Sequence, residues 1–271
     1  MFSVLMSCYK NDDPRCLEAA LHSLLKQTIS PKEVVMVKDG PITQELEHVI
    51  SCFRNFFSNV SIGFRVIPLE VNVGLGLALQ SGLEVCSQQF IVRMDSDDIS
   101  RENRLEMLRE AICENPKVGV FGSQIEEFSV RIGDLNRMRI VPLKQSDIYR
   151  YSKFRNPMNH VTVCFKRDVV ISAGGYEPML WFEDYFLWLK LLNKKIGFLN
   201  LDQTHVDVRV NSLSGRRSGA NYLKAEFRFC RAAWENNYWS FRSTVIYFLP
   251  RIIIRILPSS AITYLYKYLR N

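Results

Sequence analysis

FIVRMDSDDIS, residues 90–100, sets three aspartates into four positions directly behind an apolar, β-branched run. Phe90–Met94 has the composition of a buried strand, so Asp95, Asp97 and Asp98 fall where that strand leaves its sheet. Carboxylates crowded this closely repel one another, and such a cluster either stands in water or shares a cation. Upstream, strand and helix signals alternate: SVLMS (3–7), EVVMV (33–37) and FRVIPL (64–69) are strand-like. Between them Leu17, Leu21, Leu24 and Leu25 recur at helical spacing after Asp13 and Pro14, and 74–86 forms a second helical segment. This βαβ rhythm predicts an α/β fold with a mostly parallel, helix-covered sheet. In such sheets ligands bind beyond the carboxyl ends of the strands. Ser7 and Tyr9, Asp39, Asn72 and Gly74, and Asp95–Asp98 stand just past the four strands, so four polar loops are expected at one edge.

Downstream, Ser100 is a plausible N-cap for a helix that places Leu105, Leu108 and Ile112 on one face and ends before Pro116. Residues 117–160 are irregular, with VGVFGSQIEEF as a further strand. HVTVCFKR (160–167) has strand character and AGGYEP (173–178) turn character. EDYFLWLKLL (183–192) opens a helix on two acids and is expected to bury Leu187, Trp188 and Leu191. With no internal repeat or low-complexity linker, the pattern is one domain followed by a tail.

With 47% apolar and 23% charged residues among 271, the chain is globular rather than disordered. The first residues lack a basic segment and turn polar early, so no signal peptide is expected. Seven cysteines, an odd number without metal-ligand spacing, suit a reduced cytosolic compartment. The net charge of +7 is uneven: residues 1–100 hold 8 Lys/Arg against 12 Asp/Glu, whereas residues 201–271 hold 11 against 4. No basic-aromatic RNA-binding motif or zinc-finger spacing accompanies this charge, so no nucleic-acid partner is expected.

For the aspartates the chemical alternative to a solvated loop is a divalent-metal site, because Mg²⁺ and Mn²⁺ prefer oxygen ligands and use one or two carboxylates plus substrate phosphate. An isolated Asp-X-Asp is short and common, and a solvated loop before the helix is its simpler account. An EF-hand is excluded: Ile99 and Ser100 occupy the positions that need a ligand and a glycine, and a strand precedes the loop.

Taken in series, SVLMSCYKNDDP, LLKQTISPKEVVMVKDGP, NVGLGLALQSGL, RMDSDDIS, NPMNHVTVCFKRD, GGYEP and FEDYFLWLKL resemble the family 2 inverting glycosyltransferases of the GT-A fold, over residues 3–195. The resemblance is greatest to bacterial enzymes of O-antigen, capsule and exopolysaccharide assembly. It implies a nucleotide-sugar donor of the UDP-sugar kind, with Mn²⁺ or Mg²⁺ as cofactor and a saccharide acceptor that is often lipid-linked. By the same resemblance Asp39 meets the donor base, Ser7, Tyr9, Asn72 and Gly74 shape the nucleotide pocket, Asp95 faces the ribose and sugar, and Asp97 with Asp95 binds the metal. On the residues alone Asp39 is equally a turn residue before Gly40, and Arg93 either meets diphosphate or pairs with a neighbouring aspartate. The general base lies in the pair Glu183–Asp184, with Asp184 chosen, although acids at a helix start also complement its dipole. Trp181 and His160 stand on the acceptor side, or are a core aromatic and a locally satisfied histidine. Arg216 and Arg217, in a polar Gly- and Ser-rich loop, either close over the diphosphate or stay in solvent.

The resemblance divides the chain into a GT-A domain over 1–240, with a nucleotide-sugar half over 1–100 and an acceptor half over 101–240, and a basic amphipathic tail over 241–271. Pro250, Arg251, Arg255 and Pro258 interrupt the tail's apolar run, which is too short to span a bilayer. It either lies at the cytoplasmic surface of the inner membrane or packs back on the domain. The competing activities are a nucleotidyltransferase, whose Gly- and Lys/Arg-rich first loop is missing here, and an inactive nucleotide- or sugar-binding scaffold.

Overall fold

A computed structural model describes residues 1–210 and 220–256. Strands β1 (Phe2–Cys8), β2 (Glu33–Lys38), β3 (Gly63–Pro68) and β4 (Phe90–Arg93) form the parallel half of a nine-stranded sheet, in the order β3-β2-β1-β4. β1 and β4 are flanked on both sides and covered on both faces. Their side chains are therefore buried without alternation, as in parallel sheets covered on both faces.

Helix α1 (Pro14–Leu25) starts where predicted, since the Asp13 carboxylate accepts from the Arg15 N–H at 2.8 Å and Pro14 needs no donor in the first turn. The sequence reading leaves α2 (Gln44–Asn59) unassigned. Thr43 caps it, and Leu46, Ile50, Phe53 and Phe57 line its buried face. Helix α3 (Leu75–Val85) lies close on the sheet because Gly82 has no side chain: a Cβ there would stand 2.4 Å from Leu5 Cδ1 and 2.7 Å from Val37 Cγ2.

Beyond β4 the sheet continues through β8 (Cys164–Lys166), β6 (Val118–Phe128) and β9 (Gly197–Arg209), and ends on β5 (Ile99–Ser100); β7 (Arg137–Arg139) pairs with β6. β6 and β9 run parallel over ten paired positions, whereas β8 and β5 are antiparallel to their neighbours. The aspartate loop thus leaves β4 in mid-sheet and re-enters at the strand that closes the order.

Three sequence expectations change here. Ser100 is not an N-cap: it pairs with Val206 in β5, and its hydroxyl accepts from Gln27 Nε2 at 3.2 Å. Helix α4 (Arg104–Glu114) begins four residues later, after Asn103 and with no side-chain cap. Residues 160–167 are not one strand: Thr162 donates both its N–H and its hydroxyl to Asn159 O at 2.8 Å, winding His160–Thr162 into a 3-10 turn before β8. Helices α5 (Gln145–Tyr151) and α6 (Arg167–Ser172) complete this region.

Helix α7 (Glu183–Asn193) buries Leu187, Trp188 and Leu191 against the α3 face of the sheet. Its opposite side carries Tyr185, Phe186 and Leu189 into a separate core with α8 (Ala220–Glu235) and α9 (Phe241–Ile256). The segment expected to start the tail therefore packs on the domain through one face. Tyr247 lies 4.7 Å from the Trp239 ring, and Arg251 stands 3.6 Å over Tyr247 while its Nε faces Glu226 at 3.4 Å. Residues 257–271 lie outside the described residues.

Arg251→Met removes the guanidinium facing a carboxylate that is almost fully buried, so it should cost on the order of 3 kcal/mol of stability. Arg251→Met combined with Glu226→Leu should recover most of that loss. Urea unfolding of the three proteins checks both, and equal destabilisation of the single and double variants would contradict the pairing.

Candidate active site

β4 delivers Arg93 to the carboxyl edge of the sheet with its side chain 2% exposed. One guanidinium nitrogen pairs with the Asp95 carboxylate, and Nε and Nη1 have no hydrogen-bond partner among the described residues. Arg104 of α4 locks the backbone beneath it, donating from Nη2 to Arg93 O at 2.8 Å and to Val161 O at 2.9 Å. Sequence reading left Arg93 open between ligand and aspartate; the structure makes the aspartate contact.

Oxygens of Asp95, Asp97 and Asp98 all lie within 4.8 Å of one another. Burial, then the charges of Asp95 and Asp12, push Asp97 up to about 6. Asp98 is raised as well, by burial and then by the other two carboxylates, while its Oδ1 accepts from the Arg209 N–H at 2.9 Å. Arg209 Nε also donates to Asp97 O at 3.2 Å, and the Ser96 hydroxyl donates to Asp12 Oδ2 at 2.8 Å. Tyr9 N–H donates to the same Asp12 oxygen at 3.1 Å, which joins the loop after β1 to the aspartates. An oxygen-only cluster in which Asp97 and Asp98 hold protons above the usual carboxylate range is short of positive charge. These residues therefore fit a hard divalent cation.

Asp39, at the end of β2, organises the neighbouring loop. Its carboxylate accepts from Val73 N–H at 2.7 Å, Asn72 Nδ2 at 2.9 Å and Gly74 N–H at 3.1 Å. Gly40 lets the two loops meet, since its φ is +82° and a Cβ would stand 2.7 Å from Asn72 N. Around Gly74 nothing lies within 4 Å of where a Cβ would be, so the start of α3 opens onto space. Ser7 and Tyr9 are half-buried at the end of β1.

The acids of α7 complete the centre. Burial and then Asp184 push Glu183 up to about 7. Asp184 is also raised by burial, opposed by hydrogen bonds at 2.6 Å from Asn156 Nδ2 and from its neighbour Tyr185 N–H. Both feel the Arg93 charge, and Glu183 also feels Asp95, so β4 and α7 converge. His160 bonds through Nε2 to the Tyr176 hydroxyl at 2.9 Å, and burial with Arg93 nearby drives its pKa well below the usual imidazole value. Trp181, with φ +64° and 38% exposed, tilts against Tyr222 of α8 at 5.2 Å. Arg216 and Arg217 lie outside the described residues. Asn156, Asp12 and Tyr176 were not singled out from sequence, although Asn156 opens the NPMNH stretch and Asp12 belongs to YKNDDP.

Residues 3–177 match the family described as Glycosyl transferase family 2. The chain is 39% identical over 271 residues to the Escherichia coli UDP-Gal:alpha-D-GlcNAc-diphosphoundecaprenol beta-1,3-galactosyltransferase, covering 98% of this chain and 95% of that protein. It is 36% identical to the amylovoran biosynthesis glycosyltransferase AmsE of Erwinia amylovora, covering 98% of each. Among solved structures it is similar to S. aureus TarS 1-349 in complex with UDP-GlcNAc, with TM-score 0.65, 19% identity, and 85% of this chain but 65% of that chain covered. It is similar too to the mannosyltransferase PcManGT from Pyrobaculum calidifontis in complex with GDP-Man and Mn²⁺, with TM-score 0.61, 14% identity, and 99% and 79% of the two chains covered. The architecture is the GT-A fold of these enzymes.

The charge-poor acidic cluster yields a prediction without turnover. A cation competes with a proton for Asp97, so Mn²⁺ affinity should fall about tenfold per pH unit below about 6. Because the folded-state pKa of Asp97 is raised, its contribution to metal-free stability is fully present below about 4 and is lost as pH rises through about 6. Mn²⁺ should offset that loss in thermal melts. Metal titration by calorimetry and melting across this range, in the native protein and in Asp97→Asn, checks both; a pH-independent affinity would contradict the placement.

Proposed function

Because this chain belongs to glycosyl transferase family 2, we propose that it transfers a galactosyl residue from UDP-galactose to a hydroxyl of lipid-diphosphate-linked N-acetylglucosamine, inverting the anomeric centre. The observation that carries the substrates is the 39% identity to the E. coli galactosyltransferase along nearly the whole of both chains. The likeness to AmsE supports a place in surface or extracellular polysaccharide synthesis.

Inversion is one displacement at the anomeric carbon, in which an acceptor hydroxyl loses its proton as the nucleoside diphosphate leaves. Asp184 takes that proton: Asn156 fixes one of its oxygens, and its place at the start of α7 aims it at the edge where the aspartate loop stands. Glu183, with an affinity for protons near neutrality, modulates the charge beside it. Asp97 and Asp95 would hold a divalent cation, which supplies positive charge to the departing diphosphate. Arg93 holds Asp95 in place and keeps the acids of both elements ionisable. Asp39 shapes the nucleotide pocket through Asn72 and Gly74, and its remaining acceptor capacity meets the base. Ser7 and Tyr9 line the same pocket. His160, neutral and held by Tyr176, and Trp181 face the acceptor side.

Among the described residues no helix is long and apolar enough to cross a membrane. A lipid-linked acceptor and the cationic stretch 201–271 support a working site at the cytoplasmic surface of the inner membrane, with peripheral attachment.

A panel of UDP- and GDP-sugars with a synthetic N-acetylglucosamine diphospholipid tests the substrates, and preference for another hexose would overturn the galactosyl assignment. Asp184→Asn should lower kcat by about 10²-fold or more with donor binding retained, and Glu183→Gln should be milder. Since burial raises Asp184 and it must shed its proton to act, kcat should climb with pH above the usual carboxylate range. Steady-state kinetics of the three proteins across pH checks this, and a flat acid limb would contradict it.

A further inference from the structure

The core that buries one face of α8 and α9 leaves the other face unusual. On α8, Lys224, Phe227, Arg228, Arg231 and Trp234 recur at three- and four-residue spacing and all are exposed. On α9, Phe241, Arg242, Val245, Ile246 and Leu249 are exposed in the same way. The two faces are joined by ring contacts, Phe227 to Phe248 at 5.7 Å and Trp234 to Phe241 at 6.1 Å. Phe227, Phe241 and Leu249 keep 53%, 67% and 54% of their surface in solvent, far more than a helix pair needs for packing. Between the helices a groove is lined by Leu223, Phe227 and Phe248 together with Lys224, Arg228 and Arg231.

The charge around this apolar surface is predominantly positive. Lys224, Arg228, Arg231 and Arg242 are exposed. Of the two acids on these helices, Glu226 is buried beneath Arg251, and Glu235 bonds to Arg231 at 2.7 Å. Exposed Trp and Phe among cations, on helices too short and too charged to cross a bilayer, are what an interfacial surface requires. A second copy of the chain is a poor occupant, because a two-fold contact would set cations against cations.

We propose that the joined outer faces of α8 and α9 are a binding surface for a bilayer of anionic lipid, with Phe227, Trp234, Phe241 and Leu249 entering the interface and Lys224, Arg228, Arg231 and Arg242 meeting the headgroups. This deepens the peripheral-membrane part of the proposed function and assigns it to a defined surface of the domain. It also explains why that surface lies where it does. α7 carries Glu183 and Asp184 at its start and packs through Tyr185 and Phe186 against Phe229 of α8. The helix that touches lipid is thus one packing layer from the proposed base, which suits an acceptor whose sugar stands just above its own membrane anchor.

Flotation of the full chain with phosphatidylcholine vesicles, with and without phosphatidylglycerol, tests the surface. Two variants are compared: Lys224→Glu/Arg228→Glu/Arg242→Glu for the cations, and Phe227→Ser/Trp234→Ser/Phe241→Ser for the apolar side chains. The native protein should float with anionic vesicles and far less with neutral ones. With each cation near such a surface worth about fivefold, the charge variant should bind about a hundredfold more weakly. The apolar variant should lose the binding that survives high salt. Circular dichroism and donor turnover with a water-soluble acceptor should stay native in both. Variants that float like the native protein would overturn the surface while leaving membrane attachment through another segment intact. A native protein that does not float would overturn both. A lipid-free dimer dispersed by the apolar variant would show that a second copy covers this face instead.

Discussion

The buried guanidinium of Arg93 is the interaction on which the acidic centre depends. Three carboxylates of one loop and two of α7 stand within its field, and without a central cation their mutual repulsion would oppose closure of the edge. Arg93 sits in the sheet itself, so its position is set by the ladder of β4 rather than by a loop. Arg104 reinforces this from below. Its guanidinium is buried, with its pKa lowered to about 10 by that burial and still charged at neutral pH, and it binds the carbonyls of Arg93 and Val161. A single side chain therefore ties the strand that carries the aspartates to the turn that carries His160.

The loops at this edge are held by carboxylates rather than by apolar packing. Asp39 gathers the N–H groups of Val73 and Gly74, Asp12 receives Ser96 and Tyr9, and Asp98 receives the Arg209 N–H. A loop beyond the last strand pair has backbone donors without ladder partners, and an anionic acceptor satisfies them more strongly than a neutral one. The same acids that hold the loops also concentrate negative charge where a cation is needed. Structure and chemistry share these side chains, and their burial and crowding make Asp97 and Asp98 hold protons more tightly than ordinary carboxylates.

Helix α7 couples the two ends of the molecule. One face packs Leu187, Trp188 and Leu191 on the sheet, its first turn presents Glu183 and Asp184, and its third side enters the aromatic core of α8 and α9. The stacked rings of Phe182 and Phe229, 4.8 Å apart, show how closely the C-terminal helices are fitted to the residues just before the acids. The C-terminal helices are therefore part of the scaffold that sets the acids of α7, and for Phe241–Ile256 this is one of the two arrangements that the sequence left open.

Much of the fold of the first hundred residues was legible in the sequence. Apolar runs with polar ends located β1–β4, Asp13 and Pro14 marked α1, and the position of each acid just beyond a strand placed the site at one edge. These features are local, because strand and helix periodicity is written in neighbouring residues. Ser100 was read as a cap because its hydroxyl suits one, and only its partner Val206, more than a hundred residues away, made it a strand residue. The same holds for Asn156 at Asp184 and for Arg209 at Asp98, whose roles arise from contacts between distant segments. The identity of a carboxylate is fixed by one codon's worth of sequence, but its proton affinity is a sum over burial and every charge nearby. The sequence by itself thus determined which acids stand at the sheet edge, and the tertiary structure decided which of them hold loops and which are left short of positive charge.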